Sequence, residues 1–206
     1  KKILITGGAG FIGHQVIKEI LEATDWELLV IDRLSYAGDL NRINDVISEV
    51  GENTRSRVEF IYYDLKATLS NQILNKLEDL NIIVHIGASS HVTRSVEDPS
   101  IFIQDNVVGT FNLLEAARKL KNLELFYYFS TDEVFGPSDE KAKFKEWDRY
   151  NSKNPYSATK AAGEELTIAY NNTYSTPCLI SHCCNVYGKR QNAEKFIPNT
   201  IKKILQ

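Results

Sequence analysis

The run Lys2-Ile3-Leu4-Ile5-Thr6-Gly7-Gly8-Ala9-Gly10-Phe11-Ile12-Gly13 decides how this chain folds. Its first part is apolar and β-branched, as a buried strand is, and from Phe11 to Glu22 the apolar spacing is that of a helix. Gly7 permits a tight turn, Gly10 lets backbone approach a pyrophosphate, and Gly13 lets helix and strand pack closely. A pyrophosphate can then rest on the free N–H groups at the helix N-terminus. A glycine triplet alone is weak evidence, because a glycine-rich turn needs no ligand. This one lies between a strand and a helix, and the next strand pattern, Glu27–Ile31, ends at Asp32. That is about 20 residues on, where a ribose-binding carboxylate belongs. Such a carboxylate accepts from ribose hydroxyls and repels a 2′-phosphate, which favours NAD over NADP. Arg33 follows immediately and weakens that preference.

Outward from this unit, short apolar runs alternate with helix-period segments. Strands are expected at Lys2–Thr6, Glu27–Ile31, Val58–Tyr62, Ile82–Ile86, Glu124–Ser130 and Cys178–Cys183. Helices are expected at Phe11–Glu22, Asn41–Val50, Leu69–Leu80, Ser100–Leu120 and Pro155–Tyr174, with another opening near Lys195. This alternation predicts an α/β fold, a Rossmann-type doubly wound parallel sheet with helices on both faces. Apolar stripes (Ile103, Val107, Phe111, Leu114 and Ala117; Ala158, Ala161, Ala162, Leu166 and Ala169) either cover the sheet or, for the small residues, allow helices of two subunits to pack. The polar stretch Gly136–Asn154 reads as a long surface loop of the kind that often borders a binding site, with Asp139–Arg149 solvated.

The 206 residues suffice for one sizeable core, and 43% hydrophobic with 25% charged residues is ordinary for a soluble protein. A net charge of −3 offers no footprint for nucleic acid. No apolar run is long enough for a bilayer, and no signal peptide is evident, so a cytoplasmic protein without membrane contact is expected. Cys178, Cys183 and Cys184 lack metal-ligand spacing and read as buried reduced thiols, and no metal site is expected. The chain has no initiator Met and stops within a helical pattern, Phe196 to Gln206, which suggests a trimmed chain.

Residues just past the carboxyl end of a parallel strand face the ligand crevice. Ser130-Thr131-Asp132-Glu133 stands there and could supply a hydrogen bonder, an acid and a base, or merely a polar loop with a helix cap. Tyr156 and Lys160, four apart on the first turns of a helix, can address one ligand. A nearby ammonium favours phenolate, which suits a general base. His91 reads as a hydrogen-bonding neighbour of the crevice rather than the base, and Trp26 and Trp147 as packing residues.

Gly7–Gly13, Tyr156–Lys160 and the strand order resemble the extended short-chain dehydrogenase/reductase superfamily. Within it, Ile31–Gly38, Ser90-His91-Val92, Asn106–Thr110, Ser130–Gly136 and Glu194-Lys195-Phe196-Ile197-Pro198 resemble the dTDP-glucose 4,6-dehydratases. Thr131-Asp132-Glu133 is the most specific element. The resemblance implies that Tyr156 removes the sugar 4-hydroxyl proton while hydride passes to NAD+, with Lys160 on the nicotinamide ribose and Thr131 near the 4-oxygen. It further implies that Glu133 takes the C5 proton, that a protonated Asp132 serves the departing 6-hydroxyl, and that the hydride returns to C6. Different surroundings would have to split the two carboxyl pKa values.

By the same resemblance Gly7, Gly10, Phe11, Ile12, Gly13, Asp32, Arg33, Leu34, Ser35, Asp64, Leu65, Ile86, Gly87, Ala88, Ser89, Ser90, Tyr156, Lys160 and Val186 line the NAD site. Ser90, Thr131, Asn185, Lys195 and Phe196 touch a nucleotide-hexose, Lys195 at its diphosphate. The family usually has Glu at Ser89, Asp at Thr93 and Asn at Val186, which leaves the sugar and nucleotide open. It also has a smaller C-terminal substrate domain, expected here to be absent or truncated, with residues 1–206 forming the NAD-binding domain and 190–206 beginning the substrate region. A homodimer through the two long helices is implied. Competing readings are a nucleotide-sugar 4-epimerase or decarboxylase of the same superfamily, and a non-catalytic NAD-binding protein.

Overall fold

The computed structural model of the chain describes residues 1–138 and 143–206. Strand β1 (Lys2–Thr6) lies near the middle of the sheet, and Ile3, Leu4 and Ile5 are all buried, as a strand covered on both faces requires. The other strands are β2 (Glu27–Asp32), β3 (Val58–Tyr62), β4 (Ile82–His85), β5 (Leu125–Thr131) and β6 (Cys178–Cys183). All neighbouring pairs are parallel, in the order β3-β2-β1-β4-β5-β6. The helices are α1 (Gly13–Ala23), α2 (Asn41–Val50), α3 (Asn71–Leu77), α4 (Val92–Glu97), α5 (Pro99–Phe102), α6 (Gly109–Ala117), α7 (Pro155–Tyr174) and α8 (Phe196–Leu205). Short 3₁₀ turns cover Glu52–Arg57 and Asp132–Phe135.

Strand alternation sorts the core into two layers. Ile3, Ile5, Leu28 and Val30 pack with Ile17, Leu21, Ile43, Val46 and Ile47 of α1 and α2. Leu4, Leu29, Ile31, Ile83, Phe126 and Tyr128 pack on the other face with Leu77, Leu113, Leu114 and Tyr170. The doubly wound α/β architecture expected from the alternation is the one observed.

Several local expectations are corrected. Helix α1 starts at Gly13, leaving Phe11 and Ile12 in the turn. Ser70 accepts from the Ile73 N–H and so sets the start of α3 two residues later than the apolar pattern suggested. The expected helix Ser100–Leu120 is interrupted by a π-helical segment, Ile103–Val108. The wider turn rotates the faces, so Ile103 (49% exposed) and Phe111 (44%) point outward while Asp105, Asn106 and Thr110 turn inward.

In α7 the inner side is Ser157, Thr159, Lys160, Gly163, Glu164, Thr167 and Tyr170, so the alanine stripe is not what covers the sheet. Trp147 is 76% exposed and does not pack, while Trp26 lies against the α1–α2 layer. The cysteines are free, but Cys178 and Cys183 are half-buried and Cys184 is exposed, because β6 lies at the sheet edge. Of the loop Gly136–Asn154, residues 139–142 lie outside the described residues; the remainder contains no helix or strand.

Between α7 and β6, the buried Thr176 hydroxyl has no hydrogen-bond partner among the described residues. Thr176→Val removes that hydroxyl at nearly constant shape and is expected to raise stability by about 0.5–1 kcal/mol, read from the urea midpoint. A lower midpoint would show that the hydroxyl is paired.

Candidate active site

Strand order reverses between β1 and β4, and a cleft of about 640 Å³ opens there above the carboxyl ends of the strands. Its floor is the glycine turn. Gly7 has φ +71°, and its carbonyl accepts from Gly10 N–H at 3.0 Å. A Cβ on Gly13 would lie 2.1 Å from the Gly7 oxygen, so only glycine lets α1 start so close to β1. Among the described residues no acceptor pairs with the Phe11 or Ile12 N–H groups.

At the tip of β2, Asp32 accepts from Ala9 N–H at 3.0 Å and from Leu34 N–H at 2.8 Å. This fixes the carboxylate at the edge of the cleft. The cradle, the carboxylate and the size of the cleft fit a dinucleotide.

A buried relay holds the β1 and β4 tips. The Thr6 hydroxyl accepts from Gly87 N–H (3.0 Å), so it donates to His85 Nδ1 (2.7 Å). His85 Nε2 then donates to Thr110 (2.9 Å), whose hydroxyl donates to the Asn106 carbonyl (2.6 Å). Burial pushes the His85 pKa down to about 3, so the ring is neutral, as this relay requires. Asn106 also clamps the Ser89 backbone through N–H and carbonyl and donates to Thr159 on α7 at 2.9 Å. Nothing in the spacing of His85 distinguished it from an ordinary core residue.

Thr131, Glu133, Tyr156 and Lys160 all line the cleft. Thr131 caps the 3₁₀ turn by accepting from Glu133 N–H at 3.3 Å, and Asn154, the cap of α7, donates to Glu133 Oε2 at 3.1 Å. Asp132 is exposed, while Glu133 is half-buried and lines the cleft, and the Thr131 hydroxyl donates to Asp132 Oδ1 at 3.4 Å. The two carboxylates therefore face different surroundings.

The expected lowering of the Tyr156 pKa is not found. Burial, then the charges of Glu133 and Asp132, push it up to about 12, opposed by a hydrogen bond with Thr131. Lys160 lies with Nζ 4.1 Å from the centre of the Tyr128 ring. Desolvation lowers its pKa from 10.5 to about 7, opposed by Glu164 one turn along. Glu164 is itself fully buried and accepts from Ser130, from Tyr150 and from His182 Nε2 (2.8 Å for the last).

The lowered Lys160 value sets a pH dependence. Between about pH 7 and pH 10.5 the unfolded chain holds a proton that the folded one has shed, so stability rises with pH across that window. Lys160→Met is expected to remove that slope and to stabilise the fold near pH 6.5 by about 1–3 kcal/mol. Urea unfolding at acid and alkaline pH checks both; an unchanged slope would contradict a buried, titrating Lys160.

The expected cofactor residues line the cleft except Leu34, which turns away with φ +53°. Asn185, Val186, Ser90, Lys195 and Phe196 also border it, and Lys195 Nζ donates to the Ser90 carbonyl at 3.4 Å. His91 caps α4 by accepting from Arg94 N–H at 3.4 Å, a structural task. Unforeseen were Asp105, which pairs with Arg33, and a clasp across the cleft mouth. There Tyr36 donates to Glu194 at 2.9 Å while the Arg94 guanidinium lies 3.7 Å from the centre of the Tyr36 ring. Among the described residues no group of three or more His, Cys, Asp or Glu is placed to hold a metal, and no helix is long and apolar enough to cross a membrane.

The family model described as GDP-mannose 4,6 dehydratase matches residues 4–206. The dTDP-glucose 4,6-dehydratase of Salmonella typhimurium is 36% identical over 222 residues, covering 100% of this chain and 60% of that protein. That of Neisseria gonorrhoeae is 38% identical over 216 residues, with the same 100% and 60% coverage. Among solved structures, DesIV, a dTDP-glucose 4,6-dehydratase from Streptomyces venezuelae with NAD bound, superposes with a TM-score of 0.89 at 33% identity, covering 100% of this chain and 62% of that one. A UDP-glucuronic acid 4-epimerase from Bacillus cereus in complex with NAD gives 0.86 at 28% identity, covering 100% and 63%. The chain thus spans about 60% of the length of the curated relatives it matches.

Proposed function

This chain belongs to the GDP-mannose 4,6 dehydratase family, and from that premise we propose that it is the NAD-binding and catalytic part of a nucleotide-sugar 4,6-dehydratase, most like the dTDP-glucose enzymes. One observation carries the reading: Thr131, Glu133, Tyr156 and Lys160 share a single cleft with a dinucleotide cradle. NAD+ supplies reversible hydride storage between sugar C4 and C6. Tyr156, as phenolate, takes the 4-hydroxyl proton, and Thr131, in the same cleft, orients the 4-oxygen. Lys160 holds the ribose side of the cleft. Glu133, steadied by Asn154, removes the proton that the 4-keto group has acidified at C5. Asp132, in its protonated form, gives its proton to the departing 6-hydroxyl, which requires its exposed side chain to turn into the cleft. Residues 190–206 open the substrate region in this reading, and α5, α6 and α7 form the contact of a homodimer.

The test is mass spectrometry of products from the full-length protein with NAD+ and a panel of nucleotide-hexoses. Loss of one water without net NADH is expected. Asp132→Asn should slow elimination more than C4 oxidation, and unchanged turnover would sink that role. A 4-epimerase is the second reading, favoured by the position of Asp132 outside the cleft lining; it would give product of unchanged mass. Silence across the panel would favour a non-catalytic NAD-binding protein.

A further inference from the structure

Arg33 follows the ribose carboxylate Asp32 directly, and both line the cleft. A free guanidinium at this place is well made to pair with a 2′-phosphate, since its planar fork matches phosphate oxygens. Here the fork is already filled. Nη1 donates to Asp105 Oδ1 at 2.7 Å, Nη2 donates to Asp105 Oδ2, and Nη1 also reaches Asp64 Oδ2 at 3.3 Å. The Asp105 side chain is 6% exposed and that of Arg33 26%, so the pair is largely shielded from water.

We propose that Asp105 is a cofactor-selecting residue: by engaging Arg33 at both terminal nitrogens it withholds the guanidinium from a 2′-phosphate and makes the site selective for NAD. The inference rests on the dinucleotide reading of the cleft and adds a determinant that lies far from Asp32 in sequence. The π-helical segment Ile103–Val108 is what turns Asp105 inward. Asn106, next in the chain, is locked to the Ser89 backbone in both directions, and the Ser89 hydroxyl donates to Asp105 Oδ2 at 2.5 Å. The carboxylate is therefore held from its own side as well as by Arg33.

A 2′-phosphate entering here would have to displace a bidentate partner from Arg33. It would also bring negative charge among Asp32, Asp64 and Asp105, with Lys66 engaged on the outer side of Asp64 at 3.3 Å. Asp105→Asn lowers both barriers. It removes one negative charge and replaces a charge-assisted pair with a neutral contact that a phosphate can outcompete.

The experiment is calorimetric titration of the protein with NAD+, NADP+ and adenosine 2′,5′-bisphosphate, for wild type, Asp105→Asn and Asp105→Asn with Arg33→Met. The new amide keeps one acceptor oxygen, which can serve Ser89 and Arg33 Nη2, while Asp64 still engages Nη1; circular dichroism checks that the fold is retained. Wild type is expected to prefer NAD+ by at least 100-fold. Asp105→Asn should reduce that ratio at least tenfold through tighter NADP+ and bisphosphate binding, and the added Arg33→Met should cancel the gain. An unchanged ratio in Asp105→Asn, or a gain that survives loss of Arg33, overturns the inference while leaving the cofactor reading intact. Wild type that binds neither dinucleotide removes both together.

Discussion

Tyr156→Phe is expected to lower kcat of the full-length enzyme by about 10³-fold or more, with NAD+ affinity and stability nearly unchanged. The substitution removes only the hydroxyl that accepts the sugar proton. The ring remains, so its edge-on contact with Phe102, centroids 6.3 Å apart, is kept. The phenol is not a pre-ionised base: burial and the charges of Glu133 and Asp132 push its pKa up to about 12. A neutral phenol cannot take up a proton, so Tyr156 must first ionise; in the loaded site the positive charge of NAD+ would favour the phenolate that then accepts the sugar proton. If the Phe variant kept more than about a hundredth of the activity, a different residue would be the base. The separate stability measurement distinguishes a chemical loss from a folding one.

Gly13→Ala is expected to lower stability by about 3 kcal/mol or more and to abolish measurable NAD+ binding. The added Cβ would sit 2.1 Å from the Gly7 carbonyl oxygen and 2.7 Å from Gly8 Cα. Both are backbone atoms, so no side-chain rotation relieves the clash. Either α1 moves off β1 or the glycine turn opens, and each destroys the N–H cradle. Gly10→Ala provides the contrast, since its Cβ would meet the Gly7 oxygen at 3.0 Å and nothing else closer than 4.0 Å. That change should be mild for folding, about 1 kcal/mol or less, yet still impede a pyrophosphate. Urea unfolding and NAD+ titration of the two variants separate the effects; equal stabilities would refute the packing role of Gly13.

Much of the framework was legible because its signals are local. The central strand Lys2–Thr6 is buried on both faces and reads as a continuous apolar run, so it was placed to the residue; the edge strand Val58–Tyr62 was placed as closely by its β-branched and aromatic residues. The glycine turn and its distance to Asp32 carried the cradle. Pro155 marked the start of α7, and with it the positions of Tyr156 and Lys160. The π-helical segment was not legible, since an apolar stripe continues through it at ordinary helical spacing and no residue announces the wider turn. Nor was the inner face of α7, where Lys160 and Glu164 defy the rule that charges face water.

The sequence by itself determined the alternation of strands and helices, the turn that only glycines permit, and the set of residues able to do acid–base and dinucleotide chemistry. These follow from backbone sterics and from the apolar period, which act over a few neighbours. Only the tertiary structure decided how those residues stand toward one another. It paired Arg33 with Asp105 across 72 positions, buried Lys160 against Tyr128, and left Asp132 exposed while Glu133 lines the cleft. Such arrangements depend on which charges are desolvated together, and desolvation is set by every element packed around the site.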